Sequence, residues 1–309
     1  MAGRIKQSIE ELPLAERQEG RPPARNNFVA EALAEAWYEQ YLAEGNDVLE
    51  HSIPEAGPYR ASMAGSRCDR ALYYRLNKTE PSNPPSIADA WRMGLGSMIH
   101  ASLQEILAGL FPDAVAEAVT DLRKIGIPGS GHADLAFTYK AKRTLVEVKT
   151  VGGFQFKLKA TRFKGPPQGP RYGDVLQAAL QAEAHDCEQI VIVYLAMENV
   201  SADMADYSDS EAGRFAAEWH YTLEQLQPMV LAEKERIARL IENLESETLP
   251  PRELHDPTEY PEGAVVVDPY GQATRGTYHV KDGEQLSDTG TTWMCGYCWH
   301  RDLCTKDGE

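Results

Sequence analysis

The chain has 309 residues, 42% of them hydrophobic and 25% charged, a balance that excludes collagen, coiled coil and disorder throughout and fits one or two globular domains. A formal net charge of −16 argues against a polyanionic partner wherever that charge is evenly spread. Five cysteines are too few for a disulfide scaffold, and their grouping suggests a metal or redox site in a reducing compartment.

No apolar run approaches the roughly 20 residues a bilayer span needs, and the opening has no apolar stretch of the signal-peptide kind, so a cytoplasmic location without membrane contact is expected. Residues 1–28 are polar, with Pro22 and Pro23, and predict a mobile lead-in. An N-terminal helical region, 29–110, follows. It opens with VAEALAEAWYEQYLAE (29–44), where Val29, Leu33, Trp37 and Leu42 recur at near-helical spacing. A second helix includes Arg70 to Leu76. Beyond the Pro-rich loop 80–86 a longer amphipathic helix covers 88–110, its apolar positions including Trp91, Leu95, Ile99, Leu103, Ile106 and Leu110.

After Pro112 the period turns from helical towards extended, opening a core over 111–249. GHADLAFTY (131–139) and TLVEVKTV (144–151) read as strands of a hairpin around a short basic turn. A helix over 173–185 follows, then IVIVYLAM (190–197), which predicts a buried strand. A strand near 214–222 leads into a helix over 223–246, with Leu226, Val230, Ile237, Leu240, Ile241 and Leu244 as core candidates. The remaining 250–309 form a Pro-rich connection and a Cys-rich tail.

The charge is not evenly spread. From Lys140 to Arg171 there are nine basic residues against the single acid Glu147, a local net of +8 that leaves −24 for the rest. Interleaved with Phe154, Phe156, Phe163 and Tyr172, this run has the composition of a phosphate-tracking groove, although a solvated charged face has the same composition.

Within the second hairpin strand, Glu147 and Lys149 alternate onto one face, and a hairpin centred near residues 141 and 142 sets Asp134 across from about position 149. Carboxylates held together need a neutralising cation, and oxygen ligands suit Mg²⁺ or Mn²⁺. Such an ion could acidify a water and polarise a phosphodiester while Lys149 positions that water or offsets developing charge. A solvent-facing Glu-x-Lys pair is the plain alternative.

Adding His100 within GLGSMIHASLQ and Gln177 within YGDVLQAALQ, the chain resembles the PD-(D/E)xK nuclease superfamily, in particular its RecB-like branch. The resemblance implies that His100, Asp134, Glu147 and the Val148 carbonyl bind divalent metal, and that Gln177 orients Lys149 or substrate. It also implies a mixed central sheet flanked by helices. Four residues past Gln177, where that family often has an aromatic, stands Gln181.

Cys295, Cys298 and Cys304 form C-x₂-C-x₅-C, three thiols that need one more ligand for a metal centre or cluster. Cys68 is the candidate fourth; Cys187, just ahead of IVIVYLAM, fits a small buried residue. Four thiolates suit Zn²⁺ as well, and His300 could replace one. A distant N-terminal Cys with a C-terminal triplet is similar to the iron–sulfur RecB-like nucleases, including the fourth CRISPR-associated family, and Cys68-Asp-Arg-Ala-Leu-Tyr-Tyr-Arg resembles that family's Cys-x-Arg-x-x-Tyr-Tyr segment. That implies a [4Fe–4S] cluster fastening the front helical segment to the tail. It also implies a DNA exonuclease acting on ends or single strands, with recombination, repair or CRISPR-adaptation proteins as partners, in phages among other settings. The rival is a noncatalytic DNA-binding or assembly subunit that keeps fold and cluster.

Overall fold

The computed structural model describes residues 39, 53, 56–66, 68–84, 86–111, 113–161, 167–198, 215–251 and 298–307. The lead-in expected over 1–28, nearly all of the helix expected over 29–44, and Cys295 lie outside the described residues. In chain order the elements are β1 (Tyr59–Arg60), α1 (Asp69–Leu76), α2 (Ile87–Leu110), β2 (Val115–Asp121), β3 (Gly129–Tyr139), β4 (Lys142–Val151), α3 (Gly153–Ala160), α4 (Tyr172–Ala184), β5 (Gln189–Ala196), β6 (Ala216–Thr222), α5 (Leu223–Glu245) and α6 (Arg301–Asp307). Of these, β1, β2, α3 and α6 have no named counterpart in the sequence reading, and α3 shows why. Its eight residues are too short for a helical period to stand out.

The strands form one mixed sheet. β3 and β4 pair antiparallel, β4 and β5 parallel, β5 and β6 antiparallel, with β2 antiparallel and the short β1 parallel on β3. A Cβ at Gly129 would sit 2.4 Å from the Tyr59 carbonyl oxygen, so β1 can join the sheet only against a glycine.

The β3–β4 turn is tighter than the sequence predicts. Tyr139 pairs with Lys142, leaving a loop of just Lys140 and Ala141, both left-handed at φ 47° and 64°. Two left-handed residues in a two-residue loop match the twist of paired strands, a geometry that Asn-Gly usually advertises and Lys-Ala does not. The register therefore runs Leu135 opposite Val146. Continued one step, it sets Asp134 opposite Glu147, not position 149.

One sheet face is packed dry. Leu145, Ile190, Ile192 and Tyr194 meet Leu176, Ala179 and Leu180 of α4 and Val230 and Ile237 of α5, all of them buried. Alanines at 178, 179 and 182 let α4 lie close to the strands. The opposite face is built on Leu135, Val146 and Val148, against which Leu103, Leu107 and Phe111 pack from α2. The strand expected to be buried throughout is half-buried instead: Ile190, Ile192 and Tyr194 are covered, while Val191, Val193 and Leu195 are only partly so. Along α2 the apolar residues spread over more than one face, which leaves Trp91, Ile106 and Leu110 exposed rather than in the core.

The chain ends are tied back by polar contacts. Glu233 of α5, 4% exposed, accepts from the Tyr59 hydroxyl at 3.2 Å and the Gly65 amide at 3.3 Å and pairs with Arg236 at 2.9 Å. Arg236 also reaches Asp69 at 2.6 Å. Around the tail, the Tyr74 hydroxyl donates to Asp307 at 2.6 Å, the Asn83 amide donates to the Trp299 carbonyl at 2.8 Å, and His300 is buried against the Tyr74 ring.

Because each left-handed non-glycine residue costs roughly 1–2 kcal/mol, the pair Lys140→Asn, Ala141→Gly should stabilise the protein by about 1 kcal/mol after the flexibility of glycine in the unfolded chain is deducted. A higher urea midpoint at unchanged m-value is the expected result.

Candidate active site

β4 and α4 bring three of the expected residues together. Glu147 is 1% exposed. Its Oε1 accepts from Lys149 Nζ at 2.5 Å and from Gln177 Nε2 at 2.8 Å, while Lys149 Nζ also donates to Gln177 Oε1 at 3.1 Å. Strand alternation puts Glu147 and Lys149 on one face, and the packed α4 delivers Gln177 onto the same face. Glu147 Oε2 is buried with no hydrogen-bond partner among the described residues.

Asp134, 9% exposed, stands beside this triangle. Its Oδ2 accepts from the Val148 amide at 2.7 Å, so a side chain holds the Glu147–Val148 peptide just where the β3–β4 ladder ends. Its Oδ1 lies 3.5 Å from His100 Nδ1 and 3.5 Å from Gln104 Nε2. Gln104 in turn donates to Glu117, a non-glycine residue at φ 48°. Neither Gln104 nor Glu117 was singled out from the sequence. Gln104 was findable, since it sits four residues after His100 and so on the same face of α2.

Gln181 serves the core rather than the site. It is fully buried, and Nε2 donates to the His132 carbonyl at 2.5 Å, which anchors β3 two residues before Asp134. One turn ahead of Gln177, Asp174 accepts from the buried Tyr194 hydroxyl, and that oxygen accepts from the Arg171 amide at 2.8 Å, which fixes the start of α4.

Electrostatics at Glu147 are unbalanced. Burial is the largest influence and drives its carboxyl up, the Lys149 ammonium pulls it back, Asp134 pushes it up again, and it ends at about 8. For Lys149 burial acts downward, but Glu147 outweighs it and the ammonium ends above its usual range. A carboxyl group raised this far, with one oxygen unbonded, beside a second acid and a histidine, has the donor chemistry of a divalent-cation site. The side chains are not drawn in around an ion: among the described residues no three of His, Cys, Asp or Glu are grouped closely enough to hold one.

The basic run is divided by the fold. Lys140, Lys142 and Arg143 lie exposed at the hairpin end, whereas Lys157 and Lys159 lie on α3 past the other end of β4. The eight strand residues from 144 to 151 separate them, about 26 Å at ~3.3 Å per residue. Phe156 is fully buried and unavailable to a ligand; Phe154 and Tyr172 are about half exposed. Arg162, Phe163 and Lys164 lie outside the described residues.

Among the cysteines, Cys68 caps α1 and its sulfur accepts from the Ala71 amide at 3.4 Å. Cys298 and Cys304 bracket the turn into α6, close enough that Cys304 acts on the Cys298 thiol, which burial raises. Cys187 is buried, as expected. The Arg70 of the Cys-x-Arg segment is 2% exposed and donates to the Pro250 carbonyl at 2.6 Å.

No protein-family model and no curated protein matches the chain. Among solved structures it is similar to the crystal structure of SSO0001, with a TM-score of 0.44 and 16% identity over 89% of this chain and 96% of that one. It is also similar to an alkaline exonuclease, LHK-Exo, from Laribacter hongkongensis, alone and in complex with dAMP, each with a TM-score of 0.41 and 14% identity over 63% of this chain and 91% of that one. At these scores and identities the likeness decides neither fold nor chemistry, which rest on this chain's own residues.

A carboxyl raised above its unfolded value holds a proton that the unfolded chain has released, so its contribution to stability is complete below about pH 4.5 and is lost as pH rises through about 8. Lys149, raised in its turn, stays charged throughout that window. Metal-free protein should therefore lose stability from about pH 5 to pH 8.5, and Glu147→Gln should flatten that loss, as followed by urea unfolding in chelator.

Proposed function

We propose that the chain is a divalent-metal-dependent DNA nuclease, with exonucleolytic action on DNA ends or single strands. The observation that carries this reading is the buried Glu147 carboxyl, clamped on one oxygen by Lys149 and Gln177 and unbonded on the other, beside Asp134 and His100. A buried carboxylate with an idle oxygen is costly unless something cationic occupies it. Glu147 Oε2, Asp134, His100 and the Val148 carbonyl would hold Mg²⁺ or Mn²⁺. Such an ion, when bound, supplies Lewis-acid polarisation of the phosphodiester and acidifies a water.

The chain's own residues supply the rest. Lys149, held by Glu147 and Gln177, is placed to orient the attacking water and offset charge on the phosphate. Gln177 fixes the ammonium and presents an amide to substrate. Lys157, Lys159 and the half-exposed Phe154 stand on α3, which follows the strand of Glu147, and the half-exposed Tyr172 opens α4, the helix of Gln177, so phosphates and bases would be met on that side. Partners in recombination, repair or CRISPR adaptation belong to the same proposal.

A [4Fe–4S] cluster held by Cys68, Cys295, Cys298 and Cys304 completes the reading. It is supported by the docking of 298–307 against α1, the helix that Cys68 opens.

Glu147→Ala and Lys149→Ala should each lower Mn²⁺-dependent release of nucleotides from end-labelled single- and double-stranded DNA by at least about 100-fold. Glu147→Ala should also weaken Mn²⁺ binding followed by electron paramagnetic resonance, while Lys149→Ala should leave it near wild type. Turnover at the wild-type rate in either variant, free of contaminating nuclease, removes this site.

For the cluster, protein purified without oxygen should be brown, with about four iron and four sulfide per chain. Cys68→Ala should lose the colour as completely as Cys298→Ala, and Cys187→Ala should keep it. Colourless anaerobic protein carrying a single zinc would sink the iron–sulfur assignment.

A further inference from the structure

The uncovered sheet face carries a groove of about 830 Å³ that the catalytic reading does not use. Its floor is Val146, Val148, Val191, Val193 and Leu195, and one wall is Leu103, Leu107 and Phe111 of α2. Along the other wall runs β6, at Ala216, Glu218 and His220. Nothing among the described residues fills it, although on the other face of the same strands Leu145, Ile190, Ile192 and Tyr194 are buried under α4 and α5. Two lysines, Lys140 and Lys142, stand on the rim at the hairpin end, with Tyr139 beside them. The Lys140 ammonium lies 5.0 Å from the centre of the Tyr139 ring.

We propose that this groove is the docking site of the chain's own segment 29–44, seated as an amphipathic helix. Three observations select that segment. The first is pattern: Val29, Leu33, Trp37 and Tyr41 recur every fourth residue and make one stripe, while Glu31, Glu35 and Glu39 make another roughly opposite it. Glu39, the one described residue of the segment, is helical and exposed, as a residue of the outer stripe must be.

The second is charge. The segment holds four glutamates and no lysine or arginine. That net negative charge is complementary to Lys140 and Lys142 on the rim, cations that stand at the other end of β4 from the α3 lysines.

The third is reach. Residues 45–52 link the segment to Ile53, whose carbonyl accepts from the Ala56 amide in a turn, and eight residues span up to about 26–29 Å when extended. β1 pairs with β3 at Gly129, and Leu135 to Tyr139 of that same strand line the groove. Six residues of strand at ~3.4 Å each put the near edge of the groove, at Leu135, about 20 Å away, within the tether's range. A helix of sixteen residues is about 24 Å long, the scale of the floor. The other long undescribed stretches do not match this pattern: 1–28 is broken by Pro13, Pro22 and Pro23, 199–214 has only Val200, Met204 and Tyr207 as large apolar residues, and the longest apolar run in 252–297 is Ala264 to Val267.

The test is photo-crosslinking in the full chain, with p-benzoyl-phenylalanine in place of Tyr139. That position is exposed and on the rim, so the replacement does not threaten folding. Irradiation followed by peptide mass spectrometry should give an intramolecular adduct to 29–44 whose yield is independent of protein concentration. Leu33→Asp with Trp37→Asp should abolish it while the melting transition of the core remains. An adduct to 199–214, to 252–297 or to a second copy of the chain overturns the proposal, as does the absence of any adduct or its persistence in the double variant. None of these outcomes depends on cleavage of DNA, so the docking and the nuclease reading fail separately.

Discussion

Most of the site's architecture follows from one constraint, the burial of Glu147 with its idle oxygen. A carboxyl group that is 1% exposed can be held only by hydrogen-bond donors that themselves are fixed, and each neighbour is fixed in turn. Lys149 is two residues along the same strand, Gln177 belongs to the most deeply packed helix, and Tyr194 and Arg171 pin the start of that helix. Removing α4's alanines in favour of larger residues would lift Gln177 away from Glu147 before it disturbed any catalytic group directly. Packing and chemistry are here the same problem.

The second organising feature is the return of the chain ends to the helix α1. Asp69 is gripped by Arg236 of α5, Arg70 by the Pro250 carbonyl and Tyr74 by Asp307 of the tail. In the Cys-Asp-Arg-Ala-Leu-Tyr-Tyr-Arg segment, then, three residues have structural partners from three different parts of the chain. A metal cluster at this junction would add covalent ties to a seam that polar contacts already define. Its loss should loosen the tail and α1 together, because their contacts are mutual.

Much of this was legible in the sequence. Glu147 and Lys149 shared a face by strand period, the helices at 69–76, 172–184 and 223–245 lay within one or two residues of their expected bounds, and α5 buried Leu226, Val230, Ile237 and Leu240 as its spacing required. The register of Asp134 was misplaced by two positions because Lys-Ala is an unadvertised left-handed turn. Burial of 190–197 was overstated because a run of apolar residues carries no mark of which face a neighbour covers. The basic run read as one feature in a linear chain, whereas a strand inserted in its middle carries its two halves apart.

That separation changes what the charges can do. With −24 on the rest of the chain, a nucleic acid would be repelled from most of the surface and admitted only where cations persist. The α3 cations follow directly on the strand that holds Glu147 and Lys149, so on the proposed reading attraction there would guide phosphates toward the carboxylate site. The hairpin cations sit at the far end of the same strand, beside an apolar groove, and would draw the same phosphates away from it if left bare. An acidic cover on those lysines would leave one electrostatic entrance, and that entrance leads to Glu147.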